Sequence, residues 1–138
     1  MEPRPYRPSD RDACLAVFDS NNLPDRPAFE SFLGGPANFT VLEHEGGIVG
    51  CGGYSIGPEG IATLLHGMIR RDLRRMGLGR FLLLYRLRQI SKSAIDVRFA
   101  HLTTTPEAAP FYEKQGFKPS SVREDGTLAF VMKLTVCA

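Results

Sequence analysis

The chain has 138 residues, 17 of them basic and 15 acidic, for a formal net charge of +2. That length makes one domain, expected to span residues 1–138, and lets a chain bury roughly two-thirds of its surface without disulfide or metal staples. With 43% hydrophobic and 23% charged residues a disordered tail is excluded, and a charge so near zero gives no global argument for nucleic acid or an anionic membrane.

No apolar run approaches the ~20 residues that cross a bilayer, and the opening Met1-Glu2-Pro3-Arg4 lacks the apolar stretch of a secretory leader. Cys14, Cys51 and Cys137 are widely spaced and form no C-x-x-C pair. They suggest reduced thiols in a cytoplasmic protein and no zinc site.

Tyr6-Arg7 begins a short extended segment that Pro8 breaks. Ser9 and Asp10 are N-cap types, and the apolar residues after them predict a helix over 10–20, ended by Asn21-Asn22-Leu23-Pro24. A second short helix follows Pro27, carries Phe29, Phe32 and Leu33, and stops at Gly34-Gly35-Pro36. Phe39 to Glu43 and Ile48 to Ser55 read as a hairpin about Glu45-Gly46-Gly47. Glycines at 50, 52 and 53 weaken its second strand and imply a bulge or a close backbone approach. Ile61 to Ile69 is apolar on both faces and so central. A helix over 79–93 puts Leu83, Leu87 and Ile90 on one stripe, with Arg86, Arg88 and Lys92 suited to solvent. Next come a strand over 96–102 and a short helix over 106–115 closed by Gly116. Strands over 117–122 and 127–134 follow, joined by Glu124-Asp125-Gly126. The class is α/β (α+β), with a mixed sheet crossed by a helix in the middle.

Between the central strand and the long helix stands Arg74-Arg75-Met76-Gly77-Leu78-Gly79-Arg80. Glycine lets a backbone adopt positive φ and approach a ligand closely. Amides that open a helix are unpaired and lie at the positive end of its dipole. Arginines add charge-assisted donors, so the segment predicts a phosphate-bearing ligand. Arg80-Phe81 stands where a Walker A loop needs Lys-Ser/Thr, and Leu82 where a dinucleotide fingerprint needs its third glycine. Further on, Thr103-Thr104-Thr105-Pro106 ends a strand and Phe111-Tyr112-Glu113-Lys114-Gln115-Gly116-Phe117 follows.

Together these features resemble the GCN5-related N-acetyltransferase (GNAT) superfamily. Arg74-x-x-Gly77-x-Gly79 is similar to its R/Q-x-x-G-x-G/A loop, and Phe111-Tyr112-x-x-x-Gly116-Phe117 to its F-Y-x-x-x-G-F element. Tyr6-Arg7-Pro8-x-Asp10 resembles the usual opening. The resemblance runs from about residue 6 to residue 134. It implies a six- to seven-stranded, mostly antiparallel sheet with about four helices and central strands splayed at the acetyl-CoA site. It implies an acetyl-CoA-dependent N-acetyltransferase, with direct attack by an amine and no metal. Backbone amides of Arg75, Met76, Gly77, Leu78, Gly79 and Arg80 would bind the diphosphate. Met68, Ile69 and Arg70 would pair with the pantetheine arm, a backbone donor near Met68 or Ile69 would polarise the thioester carbonyl, and Tyr112 would protonate the departing thiolate. Thr105 stands where the family often has asparagine, with a hydroxyl for the cofactor arm, and Arg71 stands where a proline usually precedes the loop.

An amine nucleophile must lose a proton before it attacks. His66 on the central strand is the candidate base, Glu59 in the Gly57–Gly60 turn the second; alternation groups His66 with Met68 and Arg70 without deciding which face meets the cleft. The acceptor is a small-molecule or peptide amine, with Asp19, Asp25 and Glu30 of the first two helices as possible cation partners. The expected assembly is a monomer or homodimer that binds neither nucleic acid nor membrane. The alternative function is a non-catalytic coenzyme A-binding module. A phosphate- or nucleic-acid-binding role for the arginines is opposed by the charge balance and by the lack of interleaved aromatics.

Overall fold

A computed structural model describes residues 2–35, 38–93 and 96–134. Pro36 and Cys137 lie outside the described residues. The elements run β1 (Glu2–Pro5), α1 (Arg11–Ser20), α2 (Arg26–Leu33), β2 (Asn38–His44), β3 (Gly47–Ile56), β4 (Ile61–Ile69), α3 (Leu78–Ser91), β5 (Phe99–Thr104), α4 (Ala109–Lys114), β6 (Lys118–Val122) and β7 (Leu128–Lys133). The strands form a seven-stranded sheet in the order β1-β2-β3-β4-β5-β7-β6. The β4–β5 pair is parallel; β1–β2, β2–β3, β5–β7 and β6–β7 are antiparallel. The chain divides into two compact units, residues 1–54 with 65–88 and residues 55–64 with 89–138.

In the first unit, adjacent residues of one strand serve two cores. Val41 and Met68 pack with Cys14, Val17, Phe18, Phe29, Leu33 and Cys51 under α1 and α2. Their neighbours Leu42 and Ile69 pack with Val49, Leu78 and Leu82 under α3. Alternation sends successive side chains to opposite faces, and helices cover both, so the adjacent Met68 and Ile69 at the end of β4 are both apolar and buried. Strand β1 lies earlier than the sequence suggests. Pro3 and Pro5 argue against a strand, yet proline is tolerated at a sheet edge, where β1 pairs from Glu2↔Glu43 to Pro5↔Thr40.

Asp10 does not cap α1 with its side chain. Its carboxylate accepts from Arg4 Nη1 and Nη2, each at 2.8 Å, and from Arg7 N–H at 2.8 Å. The Arg4 hydrogen bonds hold the Asp10 carboxyl below its ordinary range, against the opposing effect of burial. A carboxyl whose folded pKa is depressed contributes stability above the unfolded value near 4 and loses it as pH falls through the folded one. Asp10→Ala is therefore expected to cost about 3 kcal/mol at neutral pH, the low end for breaking a buried pair, because Arg4 keeps some exposure. Denaturant unfolding of both proteins checks this, and the difference should shrink toward pH 3.

The β3 glycines mark close approaches. A Cβ on Gly50 would lie 2.6 Å from Ile69 Cδ1, and one on Gly53 2.8 Å from the Asn38 carbonyl. The expected bulge is also present: Leu42 pairs with Gly50 and Glu43 with Ile48, so Val49 of β3 is the extra residue. One reading of α3 is corrected: Arg86 does not face solvent but is buried at 3% exposure. Its guanidinium occupies the space where a Cβ on Gly52 or Gly67 would stand, at 2.9 and 2.5 Å, and Nη1 donates to the Gly53 carbonyl at 3.2 Å. Two glycines on neighbouring strands thus make the room that a charged side chain on the helix fills.

In the second unit, β4 pairs with β5 over Ile61↔Phe99 to Thr63↔His101. Strand β5 starts at Phe99, three residues later than expected, because Arg98 N–H (2.7 Å) and Phe99 N–H (3.3 Å) both donate to the Gly60 carbonyl. The β6–β7 turn is as expected, with Gly126 at φ +86° and Asp125 Oδ1 accepting from Thr127 N–H at 2.9 Å.

Candidate functional site

The end of β4 and the approach to α3 form one continuous segment. Arg70 N–H donates to Val49 O at 2.7 Å, and a single 3-10 turn over Arg71–Leu73 follows. Arg75 and Gly77 then both take left-handed backbone, at φ +67° and +80°. A Cβ on Gly77 would meet nothing within 4 Å, so φ rather than space selects glycine there. Phe81 N–H donates to Gly77 O at 3.1 Å, and the amides of Leu78, Gly79 and Arg80 lie in the first turn, where no preceding turn supplies a carbonyl. Leu78 is buried beside Leu82 and Ile69 and fastens this end of the helix.

Arg71, Arg74, Arg75 and Arg80 are exposed around those amides, and Met76 is 62% exposed. The Arg70 charge is offset by Asp72, Nε to Oδ1 at 2.7 Å. Unpaired amides, a helix dipole of fourteen residues and flanking guanidinium groups make an anion cradle suited to a diphosphate.

Two residues that the sequence reading took only as a helix end hold this segment. Asn21 is 6% exposed. Its Nδ2 donates to Val17 O and to Ile69 O, both at 2.9 Å, and its Oδ1 accepts from Arg74 Nη2. Ser20 Oγ donates to Val17 O at 2.7 Å and accepts from Arg71 N–H at 3.1 Å. Asparagine and serine at a helix terminus are so common that only the partners, about fifty residues away, reveal the role.

His66 takes φ +51° in the middle of β4, a left-handed residue inside a strand. Its ring centroid lies 5.2 Å from that of Phe29 and 4.6 Å from that of Phe32, so it faces α2. Met68 shares the cluster under α1 and α2, whereas Gly67 and Ile69 look toward α3. That answers the question of face left open by alternation. Burial pushes the His66 pKa below its ordinary value, with Asp25 partly opposing, so the imidazole is neutral at neutral pH.

The acidic residues of α1 and α2 are already engaged. Asp19 pairs with Arg26 at 2.9 Å, and Glu30 pairs with Arg26 and, at 3.7 Å, with Arg11. Asp25 caps α2, its Oδ1 accepting from Ala28 N–H at 3.3 Å. As free cation partners for an acceptor they are set aside.

The remaining expected residues belong to the second unit. Thr105 Oγ1 accepts from Ala108 N–H at 3.4 Å where α4 begins. Tyr112 is half-buried on α4, its ring edge-on to Phe111 at 5.0 Å and Phe117 at 5.9 Å. The Tyr112 carbonyl accepts from Phe117 N–H at 3.1 Å across Gly116, which sits at φ +99°. Glu59 is exposed in its turn.

Residues 35–119 match the family described as acetyltransferase (GNAT) domain. No curated protein sequence matches. The fold is similar to that of the ribosomal-protein-S18-alanine N-acetyltransferase of Escherichia coli, with a TM-score of 0.81 at 19% identity, covering 99% of this chain and 96% of that one. A GNAT-family acetyltransferase structure from Desulfovibrio desulfuricans gives 0.82 at 19% identity, with 99% of each chain covered. The PaiA N-acetyltransferase of Thermoplasma acidophilum, in complex with coenzyme A, gives 0.76 at 16% identity, covering 96% of this chain and 98% of that one. At these identities the likeness is one of fold.

Proposed function

This chain belongs to the acetyltransferase (GNAT) domain family, and we propose that it moves an acetyl group from acetyl-CoA to a primary amine by direct attack of the amine on the thioester. Residues 1–138 act in this reading as one acetyltransferase domain. The observation that carries it is the left-handed Arg75–Gly77 turn that delivers exposed arginines and unpaired amides to the start of α3. The residues present fit the cofactor: the backbone of Arg75, Met76, Gly77, Leu78, Gly79 and Arg80 would hold the diphosphate, with Arg74 and its neighbours adding charge.

Along β4, Arg70 N–H is spent on Val49 and Ile69 O accepts from Asn21. Alternation turns the Ile69 N–H away from β3, and this amide is the donor we assign to the thioester carbonyl. The Met68–Arg70 backbone would flank the pantetheine arm, and the Thr105 hydroxyl would add a contact.

His66 acts as the base. It takes the proton from the acceptor ammonium, and the neutral nitrogen then forms the bond to the acyl carbon. As the C–S bond breaks, the electron pair leaves on sulfur and Tyr112 supplies its proton, while the second proton of the attacking nitrogen passes through solvent to restore the tyrosine and leaves a neutral amide. A neutral imidazole against Phe29 and Phe32 supports this assignment, because only the neutral form accepts a proton. The acceptor is a small-molecule or peptide amine, the reaction needs no metal, and the setting is cytoplasmic. No helix among the described residues is long and apolar enough to cross a membrane.

Thiol release from acetyl-CoA, screened against peptide N-termini and small amines, tests the activity. Its pH profile tests the base. Activity should rise with pH through a limb below the ordinary histidine value of about 6.5, and His66→Ala should remove that limb. An unchanged limb in the variant takes the role away from His66.

A further inference from the structure

We propose that Asn21 is a positioning residue for the coenzyme A segment, tying the end of α1 to the last carbonyl of β4 and to the first arginine of the loop. The inference rests on the reading of residues 74–80 as the cofactor loop.

The geometry is that of a built clasp. One carboxamide satisfies two backbone carbonyls, Val17 O and Ile69 O, and accepts from the Arg74 guanidinium. Two carbonyls and a guanidinium allow only one orientation of the amide, since carbonyls accept and guanidinium groups donate. Ser20 beside it takes the Arg71 N–H. Ser20, the last residue of α1, and Asn21 after it thus hold Ile69, Arg71 and Arg74, the points between which the chain leaves the sheet and enters the loop. Asn21 is nearly out of solvent, so water cannot readily replace it at either carbonyl.

The clasp has a consequence for binding. A long arginine side chain and a loop with two left-handed residues lose conformational freedom when they close on a ligand. Holding Arg74 and Ile69 beforehand removes part of that cost from the binding step. Asn21 acts through these groups and needs no contact with the cofactor. Its loss therefore appears mainly in the affinity for acetyl-CoA, with a smaller effect on the chemical step through Ile69, whose N–H is assigned to the thioester carbonyl.

The test is Asn21→Ala, alone and with Arg74→Ala, read by acetyl-CoA titration, by steady-state rates and by amide hydrogen exchange of the ligand-free proteins. Asn21→Ala is expected to weaken acetyl-CoA binding about tenfold, the scale of one charge-assisted hydrogen bond. Turnover at saturation should fall by less than about threefold, well below the loss in affinity. In the Arg74→Ala background the same change should cost much less, because coupled residues are not additive. Exchange should quicken at residues 69–80 and not in β6 and β7. Unchanged affinity, full additivity with Arg74→Ala, or faster exchange throughout the chain would overturn the proposal. A wild-type protein that fails to bind acetyl-CoA would refute the cofactor reading instead, and the exchange measurement would still judge the clasp.

Discussion

Gly77→Asp is expected to abolish acetyl-CoA binding while the chain stays folded. Gly77 holds φ +80°, and an added Cβ meets nothing within 4 Å, so the variant creates no clash in the core. The backbone penalty for a side chain in left-handed geometry is about 1–2 kcal/mol, roughly tenfold in affinity if it is expressed in the loop. The carboxylate adds a second and larger effect, because it places a negative charge among amides and guanidinium groups that would otherwise meet a diphosphate. Together the loss should be at least about a thousandfold, adding charge repulsion to strain. Gly77→Asn separates the two. Asparagine tolerates left-handed backbone and carries no charge, so it should cost tenfold or less. Equal affinity for acetyl-CoA in wild type and Gly77→Asp would remove the loop from the cofactor site.

Tyr112→Phe is expected to lower turnover by about a hundredfold or more, the usual scale for a lost general acid, with acetyl-CoA affinity nearly unchanged. Phenylalanine preserves the edge-on packing with Phe111 and Phe117, and the backbone bonds that close α4 use the Tyr112 carbonyl, not its side chain. Only the hydroxyl is lost, so thermal stability should barely change. The measurement is kcat against Kd for both proteins. A proportional loss in the two would mean that the hydroxyl binds the cofactor and transfers no proton.

Much of the fold is local enough to read from sequence. The helix of residues 11–20, the central strand Ile61–Ile69 and the β6–β7 turn follow from period, caps and turn residues. Where expectation and structure part, tertiary partners decide. Pro3 and Pro5 disguise a strand that survives because its edge needs no second neighbour. Phe99 starts β5 late because the Gly60 carbonyl captures the amides of Arg98 and of Phe99 itself.

The same division holds at the site. The arginine–glycine loop announces itself, since positive φ and helix-opening amides are properties of a short stretch. The face of His66 does not, because alternation groups it with Met68 but only the packing of Phe29 and Phe32 says which helices that face meets. Arg86 sits on a helix position that looks solvated. Its burial needs Gly52 and Gly67, distant in sequence and adjacent in space. Asn21 is hidden in the same way, being an ordinary helix terminator until Ile69 and Arg74 fold against it. The pairing of Arg26 with Glu30 four residues on is a contrary case, legible from spacing alone.

In the proposed function, residues 68–80 bind coenzyme A for acyl transfer to an amine. Calorimetric titration of the purified protein with acetyl-CoA, beside dephospho-CoA and ATP, tests it most directly. A saturable heat in the micromolar range is expected, strongest for acetyl-CoA and lost in Gly77→Asp. A folded protein that gives no heat with acetyl-CoA, or that binds ATP as tightly, would contradict it.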